Sequence, residues 1–228
     1  LSGSARTTAD NYTITYSNAS LSLGKVVLTV TADAKNRIYG EANPVFTQTL
    51  SGFVNGQTFA TSGITGSDVG TTTATASSAV TTYTITASSA GYNSDNYSFT
   101  TADGVLTVAA RPITITANAG QTKVYGNNDA TFTYTLEANG TDRGLVGNDV
   151  FSGNLARASG EDVGNYAINQ GDLANSNYAI DYVTDDYSIT ARPITITANA
   201  GQTKVYGNND ATFTYTLEAN GTDRGLVG

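Results

Sequence analysis

The string ARPITITANAGQTKVYGNNDATFTYTLEANGTDRGLVG occupies residues 110–147 and recurs without a single change at residues 191–228. The second copy therefore begins 81 residues after the first, as the starting positions 110 and 191 show. Most solenoid repeats are about 20 to 50 residues long, so this period instead favours a small domain with a hydrophobic core of its own.

A third, more distant copy lies upstream, where residues 27–56 read VLTVTADAKNRIYGEANPVFTQTLSGFVNG. Every copy contains one Tyr-Gly pair at the same place in the pattern. These pairs are Tyr39-Gly40, Tyr125-Gly126 and Tyr206-Gly207. The tyrosine of each pair has two possible roles. Its ring is either exposed and binds a sugar or a partner domain, or it is packed near the end of the domain. We favour the packed ring, with the glycine at positive φ in a turn.

The alignment of the copies predicts how the chain is divided. The four segments are the closing strands of a preceding repeat (1–24), a divergent repeat (25–109), a second repeat (110–190) and the first part of a further repeat (191–228). The divergent repeat carries extra residues at about 58–75, for which we expect an altered loop and no change of fold. Neither terminal segment has enough apolar surface to fold alone, so we expect the natural protein to be longer in both directions.

The repeats alternate apolar and polar residues with a period of two, which predicts strands with one buried face. Examples are Ile113–Ile115 and Tyr178–Tyr182. Only the stretch 144–150 is a candidate for a short helical turn. Pro112 follows directly on the preceding repeat and favours an extended path, so we expect a stiff junction. The predicted fold class is all-β or mostly β, a rod of small tandem domains.

The composition excludes several kinds of chemistry. The chain has no Cys, His, Met or Trp, and its 19 acidic side chains outnumber 11 basic ones, giving a net charge of -8. Without Cys or His there is no disulfide framework, no thiolate nucleophile and no Ser-His-Asp triad. Sparse basic residues argue against a nucleic-acid partner, and no apolar run is long enough to span a membrane. We expect a secreted protein that is not an enzyme.

The second repeat resembles the MBG repeat of the YGX type, found in very large bacterial surface and secreted proteins such as filamentous-haemagglutinin-like exoproteins and giant adhesins. The resemblance is carried by RPITITANAGQTKVYGNNDATFTYTL, by the GLVG turn at 144–147 and by GEDVGNY at 160–166. It implies a small, mostly β, β-grasp-like domain that is arranged in tandem on an adhesin stalk at the bacterial cell surface.

Acidic clusters are candidate calcium ligands, because Ca²⁺ takes about 6 to 8 oxygen ligands. The candidates are Asp181, Asp185 and Asp186 beside the closing hairpin. No calcium-loop motif accompanies them, so we favour a solvated acidic surface and predict no cofactor. Spontaneous Lys–Asn isopeptide bonds occur in some surface adhesins, but we expect the lysines of this chain, Lys123 among them, to be exposed.

We expect a structural stalk segment that projects a binding domain away from the cell. Its partners are then the neighbouring repeats of the same chain, and other domains contact host or surface glycans and proteins. Two alternatives stay open. In one, the repeats themselves bind glycans or a host surface weakly and multivalently. In the other, edge strands pair between chains and build an extracellular filament or matrix.

Overall fold

The computed structural model describes Thr15 and residues 17–227. Asn11-Tyr12 in the segment 1–24 matches the Asn-Tyr closing strands of the full repeats, and the strand predicted there lies outside the described residues.

Strands dominate each of the three described copies of the repeat. The first copy contains β1 (Val26–Ala32), β2 (Lys35–Ile38), β3 (Gln48–Ser51), β4 (Thr65–Gly66), β5 (Thr82–Ile85), β6 (Tyr92–Asn93), β7 (Tyr97–Ala102) and β8 (Gly104–Ala109), with a 3₁₀ helix at Phe59–Thr61. The second contains β9 (Arg111–Ala117), β10 (Thr122–Val124), β11 (Tyr134–Leu136), β12 (Ala156–Arg157), β13 (Gly164–Asn169), β14 (Tyr178–Val183) and β15 (Asp185–Thr190). The third contains β16 (Ile196–Ala198) and β17 (Tyr215–Leu217).

The two full repeats share one topology. The opening strand lies in the middle of a three-stranded sheet, ordered β3-β1-β7 in the first repeat and β11-β9-β14 in the second. It pairs antiparallel with the strand on one side and parallel with the strand on the other. A second sheet is ordered β2-β8-β5 in the first repeat and β10-β15-β13-β12 in the second. The closing strand of each repeat is therefore held next to a strand from near its beginning.

Alternation along the opening strands produces the core. Leu28 and Val30 on β1, and Ile113 and Ile115 on β9, are completely buried, as period-two patterning predicts. One cluster of buried side chains includes residues of both repeats, with Tyr39 of the first and Tyr178 of the second among its members. The two cores are therefore continuous across the boundary between the repeats.

The mostly β prediction is confirmed, but two finer expectations are not. The stretch 144–150 forms turns, so the helical turn predicted there is wrong. Within the described residues the helical structure is the 3₁₀ turn at Phe59–Thr61, which belongs to the extra residues of the first repeat. Without an α-helix packed on a sheet in the described part of the chain, the β-grasp expectation is not confirmed.

The two identical strings adopt different degrees of structure. In residues 110–147 the opening strand β9 is seven residues long, whereas in residues 191–228 its counterpart β16 has three. Ile115 is 0% exposed, but Ile196, at the same place in the repeat, is 61% exposed. The first string pairs with β14 and β15, and the second has no such partners among the described residues.

Candidate functional site at the junction between repeats

The Tyr-Gly turns lie where one repeat meets the next. β2 runs parallel to β8, so Tyr39 at its end lies beside the last strand residue of the repeat and donates its backbone N–H to the Ala109 carbonyl, at 2.9 Å. Tyr125 makes the same bond to Thr190, also at 2.9 Å. The parallel pairing therefore carries each turn to the point where the chain enters the following repeat.

Glycine is required in these turns because of the backbone conformation. The φ angle is +87° at Gly40, +86° at Gly126 and +92° at Gly207, in the left-handed region that L-residues with a Cβ disfavour. At Gly40 a second reason applies. A Cβ there would lie 2.4 Å from Cγ2 of Val146, a residue of the next repeat. The turn therefore approaches the following repeat more closely than any side chain would permit.

The tyrosine of the first turn is buried against the second repeat. Tyr39 is 5% exposed, and its ring meets the ring of Tyr178 edge to face, with centroids 5.7 Å apart. Both hydroxyls donate to Oδ2 of Asp149, from 3.0 Å for Tyr39 and 2.7 Å for Tyr178. One carboxylate thus joins a tyrosine of each repeat, and the interpretation of the Tyr as an exposed platform does not hold for Tyr39.

The protonation of these hydroxyls is fixed by their surroundings. Burial, followed by the hydrogen bond to Asp149, raises the pKa of Tyr178 to about 12. The same two causes, in the same order, raise the pKa of Tyr39. Both groups therefore stay protonated at neutral pH and serve as donors to the carboxylate, as charge-assisted hydrogen bonds require.

Arg111 completes the junction from the start of the second repeat. Its Nη1 donates to the Tyr39 carbonyl at 3.3 Å, and its Nε donates to the Gly144 carbonyl at 3.0 Å. Nη2 donates to the carbonyls of Gly140 and Arg143, at 3.2 and 2.9 Å. A guanidinium carries five N–H donors in a planar fork, so it can hold the preceding Tyr-Gly turn and its own turn together.

The second junction repeats this geometry. Nη1 of Arg192 donates to the Tyr125 carbonyl at 3.3 Å, and its Nε donates to the Gly225 carbonyl at 2.9 Å. A Cβ on Gly126 would lie 2.7 Å from Cγ1 of Val227. Val227 thus packs on Gly126 as Val146 packs on Gly40. Tyr125 itself is 38% exposed, whereas Tyr39 is 5% exposed.

The two junctions differ at the residue after the glycine. Nδ2 of Asn127 donates to Oδ1 of Asp223 at 2.5 Å, whereas Glu41 occupies the same position in the first junction and faces Asp142. The hydrogen bond with Asp142, then burial, raise the pKa of Glu41, and the Ile38 backbone and Arg111 oppose the rise. The first junction thus brings two carboxyl groups together, whereas the second brings an amide and a carboxylate together at the same position.

Glu41→Gln is expected to stabilise the first junction at neutral pH. A carboxyl whose pKa is raised in the folded state stabilises the fold at pH values below its unfolded pKa near 4.5, and this stability is lost as the pH rises through the folded pKa. The variant should therefore unfold with a free energy higher by roughly 0.5 kcal/mol at pH 7 and unchanged at pH 4. Urea denaturation at the two pH values measures both.

Glu137→Gln is the matched control, because Arg143 lowers the pKa of Glu137 and the pH dependence has the opposite sign. Its stabilising contribution is present above the unfolded pKa and is lost as the pH falls. Glu137→Gln should therefore destabilise the chain at pH 7. If Glu41→Gln also lost stability at pH 7, the proposed unfavourable pairing of Glu41 with Asp142 would be contradicted.

The calcium candidates are not brought together. Asp181 lies on β14, opposite Thr114, whereas Asp185 and Asp186 lie on β15 in the other sheet, opposite Ile168 and Ala167. Oδ1 of Asp185 accepts from the backbone N–H of Asp186 at 2.7 Å. Over the described residues, no three acidic side chains lie close enough to share a metal ion.

Lys123 is buried, so the expectation of an exposed lysine is wrong there. Its side chain is 5% exposed, and Nζ lies 2.7 Å from Asp129 and 2.5 Å from Glu161. Arg157 bridges the same two carboxylates, at 2.7 and 2.6 Å. Burial alone would lower the pKa of Lys123, but the hydrogen bonds to the two carboxylates outweigh it and raise that pKa.

This ion cluster is structural. Burial would raise the pKa of Asp129, yet its bonds to Arg157 and Lys123 lower it. The amine is thus protonated and the carboxyl ionised, so the two groups form an ion pair. In the other copy Lys204 is 51% exposed and pairs with Asp210. The cluster therefore depends on Arg157 and Glu161, which the string at 191–228 lacks.

Sequence reasoning missed the residues that receive the turn. The internal repeat could have pointed to Arg111 and Val146, because each recurs 81 residues later, as Arg192 and Val227. Asp149 had no such signal, because the first repeat has Gln57 at the equivalent position. The structure identifies it through its contact with Tyr39, from which it is separated by 110 positions.

These features define a class of protein: a tandem array of small β-rich repeats in which a Tyr-Gly turn of one repeat docks on the next. The chain belongs to the MBG domain family of the YGX type, whose model matches residues 28–107 and 113–188. No curated protein and no solved structure matches the chain. No helix in the described part of the chain has the length and apolar character needed to cross a membrane.

Proposed function

We propose that this chain is a spacer segment of a large extracellular bacterial surface protein, in which docked repeats hold a binding domain away from the cell. MBG repeats are typically found in large surface proteins and adhesins, which supports this placement. The lack of His and Cys and the absence of grouped metal ligands among the described residues accord with a mechanical role.

The observation that carries the proposal is the docked Tyr-Gly turn. At both junctions an arginine holds the carbonyl of the preceding tyrosine at 3.3 Å, and a valine packs on the glycine. Arg111 begins β9 directly after the last strand of the previous repeat, so there is no free linker between them. A fixed junction transmits orientation from one repeat to the next, which a flexible linker does not.

Repetition then sets the reach of the protein. A domain of this size has a radius of gyration of roughly 12 Å, so each repeat should add roughly 30 to 40 Å to the length of a rod. The net charge of -8 disfavours association between neighbouring rods, and the repeats need no ligand for this role.

A distance measurement tests the fixed junction. The chain has no cysteine, so Ala34→Cys and Ala119→Cys place one spin label on each full repeat, both at exposed positions outside the strands. Double electron–electron resonance on the doubly labelled chain should give one narrow distribution of distances between the two spin labels. Ala119→Cys paired with Ala90→Cys, also exposed, provides a second distance across the same junction. Broad distributions for both pairs would show free repeats and rule out the rigid spacer.

A further inference from the structure

The first repeat contains a groove whose lining residues make none of the junction contacts described above. It has a volume of about 600 Å³ and lies between β3, the turn that follows it, the 3₁₀ helix and the β4–β6 pair. The 3₁₀ helix and β4 are formed by the extra residues at about 58–75. Those residues distinguish the first repeat from the second and have no part in the junction.

Aromatic rings form the apolar side of the groove. Phe53, Phe59 and Tyr92 line it, and Phe59 meets Tyr92 edge to face with centroids 6.2 Å apart. Tyr92 in turn packs on Phe99 at 5.7 Å, and Phe59 is 42% exposed. The rings support one another from behind, so a ring face is held in place while part of its surface stays in contact with solvent.

Carboxamides and hydroxyls form the polar side. Oε1 of Gln48 accepts from the backbone N–H of Ser88 at 2.9 Å, which fixes the carboxamide, while its Nε2 is buried with no hydrogen-bond partner among the described residues. Gln57 is fixed as well, because its Oε1 accepts from the hydroxyl of Tyr97. Of the described residues that line the groove, none is charged.

The second repeat lacks this aromatic lining. Equivalent positions are defined by the strand registers and by matching turn hydrogen bonds, such as Gln57 N–H to Val54 and Asp149 N–H to Val146. By this alignment Phe53, Tyr92 and Phe99 correspond to Leu145, Leu173 and Ile180. Aliphatic side chains suffice to build the core of a repeat, so the fold alone does not require aromatic ones.

We propose that this groove of the first repeat binds a neutral saccharide. A sugar ring offers an apolar C–H face that stacks on aromatic rings, and its hydroxyls both donate to and accept from carboxamides. A pocket of this size with an aromatic wall and a few fixed polar groups is typical of a small-molecule site. The uncharged lining selects against anionic sugars and phosphates, because a buried charge without a partner is costly.

An extended peptide is the competing ligand, because β3 is the edge strand of its sheet. Two features favour the sugar. β3 has only four residues, which offers a peptide few backbone hydrogen bonds. Phe59 lies on the 3₁₀ helix and Tyr92 on β6, so backbone pairing of a peptide with β3 does not itself use their rings.

Nuclear magnetic resonance titration tests the proposal on the intact chain. Maltotriose, cellotriose and triacetylchitotriose are the neutral probes, and an uncharged (Thr-Val)₄ peptide is the competitor. We expect at least one sugar to shift the signals of Phe59 and of the side-chain amides of Gln48 and Gln57. Phe59→Ala should weaken that binding roughly tenfold, whereas Phe59→Tyr, which keeps the ring, should retain it.

Phe213→Ala is the matched control, because Phe213 is an exposed aromatic residue outside the groove, at 72% exposure. It should leave the affinity unchanged. The proposal is overturned if none of the three sugars shifts these signals at about 10 mM, or if binding survives Phe59→Ala. Shifts caused by the peptide alone would establish a peptide-binding edge instead. The spacer function is tested separately, by the distance distributions.

Discussion

Ile115→Ala is expected to lower the free energy of unfolding by roughly 2–5 kcal/mol, the usual cost of truncating a buried isoleucine. The same change at Ile196 should cost less than about 0.5 kcal/mol, although the 38-residue string around it is identical. Ile115 is 0% exposed, and Ile196 is 61% exposed. The truncation therefore leaves a cavity at one site and only shortens a solvated side chain at the other. Urea denaturation followed by circular dichroism measures both costs.

Thr116→Ala is the control for strand propensity, because Thr116 lies next to Ile115 on β9 but points to the exposed face. Its cost should be close to that of Ile196→Ala. Equal costs for Ile115→Ala and Ile196→Ala would mean that the two copies of the string bury their isoleucines alike, and the account of the cores given above would fail.

Gly40→Ala is expected to undock the two repeats. Its φ of +87° costs a residue with a Cβ about 1–2 kcal/mol. The collision with Val146 Cγ2 at 2.4 Å adds the cost of overpacking, typically about 1–3 kcal/mol. The distribution of spin-label distances between positions 34 and 119 should therefore broaden, and the free energy of unfolding should fall by about 2–5 kcal/mol.

Gly120→Ala separates the two causes. Gly120 has a φ of +76°, but a Cβ there would meet no atom within 4 Å, so only the backbone strain applies. This control should keep the narrow distance distribution. Adding Val146→Ala to Gly40→Ala removes the colliding methyl groups and should restore part of the docking. If Gly40→Ala keeps the narrow distribution, or if Val146→Ala restores nothing, the turn does not dock as described.

Much of the fold followed from patterning. Alternation predicted the opening strands, since Ile113 and Ile115 fall on one face and the intervening threonine on the other. The family and the tandem arrangement followed from the internal copies. The 3₁₀ turn at Phe59–Thr61 was missed and a helical turn at 144–150 was wrongly expected, because turns of three to six residues depend on the neighbours that they pack against and carry little periodic signal.

The sequence indicated only the Tyr-Gly turns of the junction and not the residues of the next repeat that receive them. The Tyr-Gly pairs marked a turn, and the glycine requirement could be argued from backbone sterics alone. The receiving residues lie far along the chain, since the hydroxyl of Tyr39 donates to Asp149, which is 110 positions away in sequence. Contacts of that kind depend on which strands pair, and the parallel pairing of β2 with β8 is what places Tyr39 beside the second repeat.

The sequence by itself determined the repeat, its strand pattern and the turns that only glycine can form, because these depend on local sterics and on the period of apolar residues. Only the tertiary structure decided which copy of an identical string is buried. Residues 110–147 pair with β14 and β15, whereas in residues 191–228 the same isoleucines and the same lysine remain exposed. Burial is a property of the atoms that surround a side chain, and the same letters specify it only when the partner strands are present.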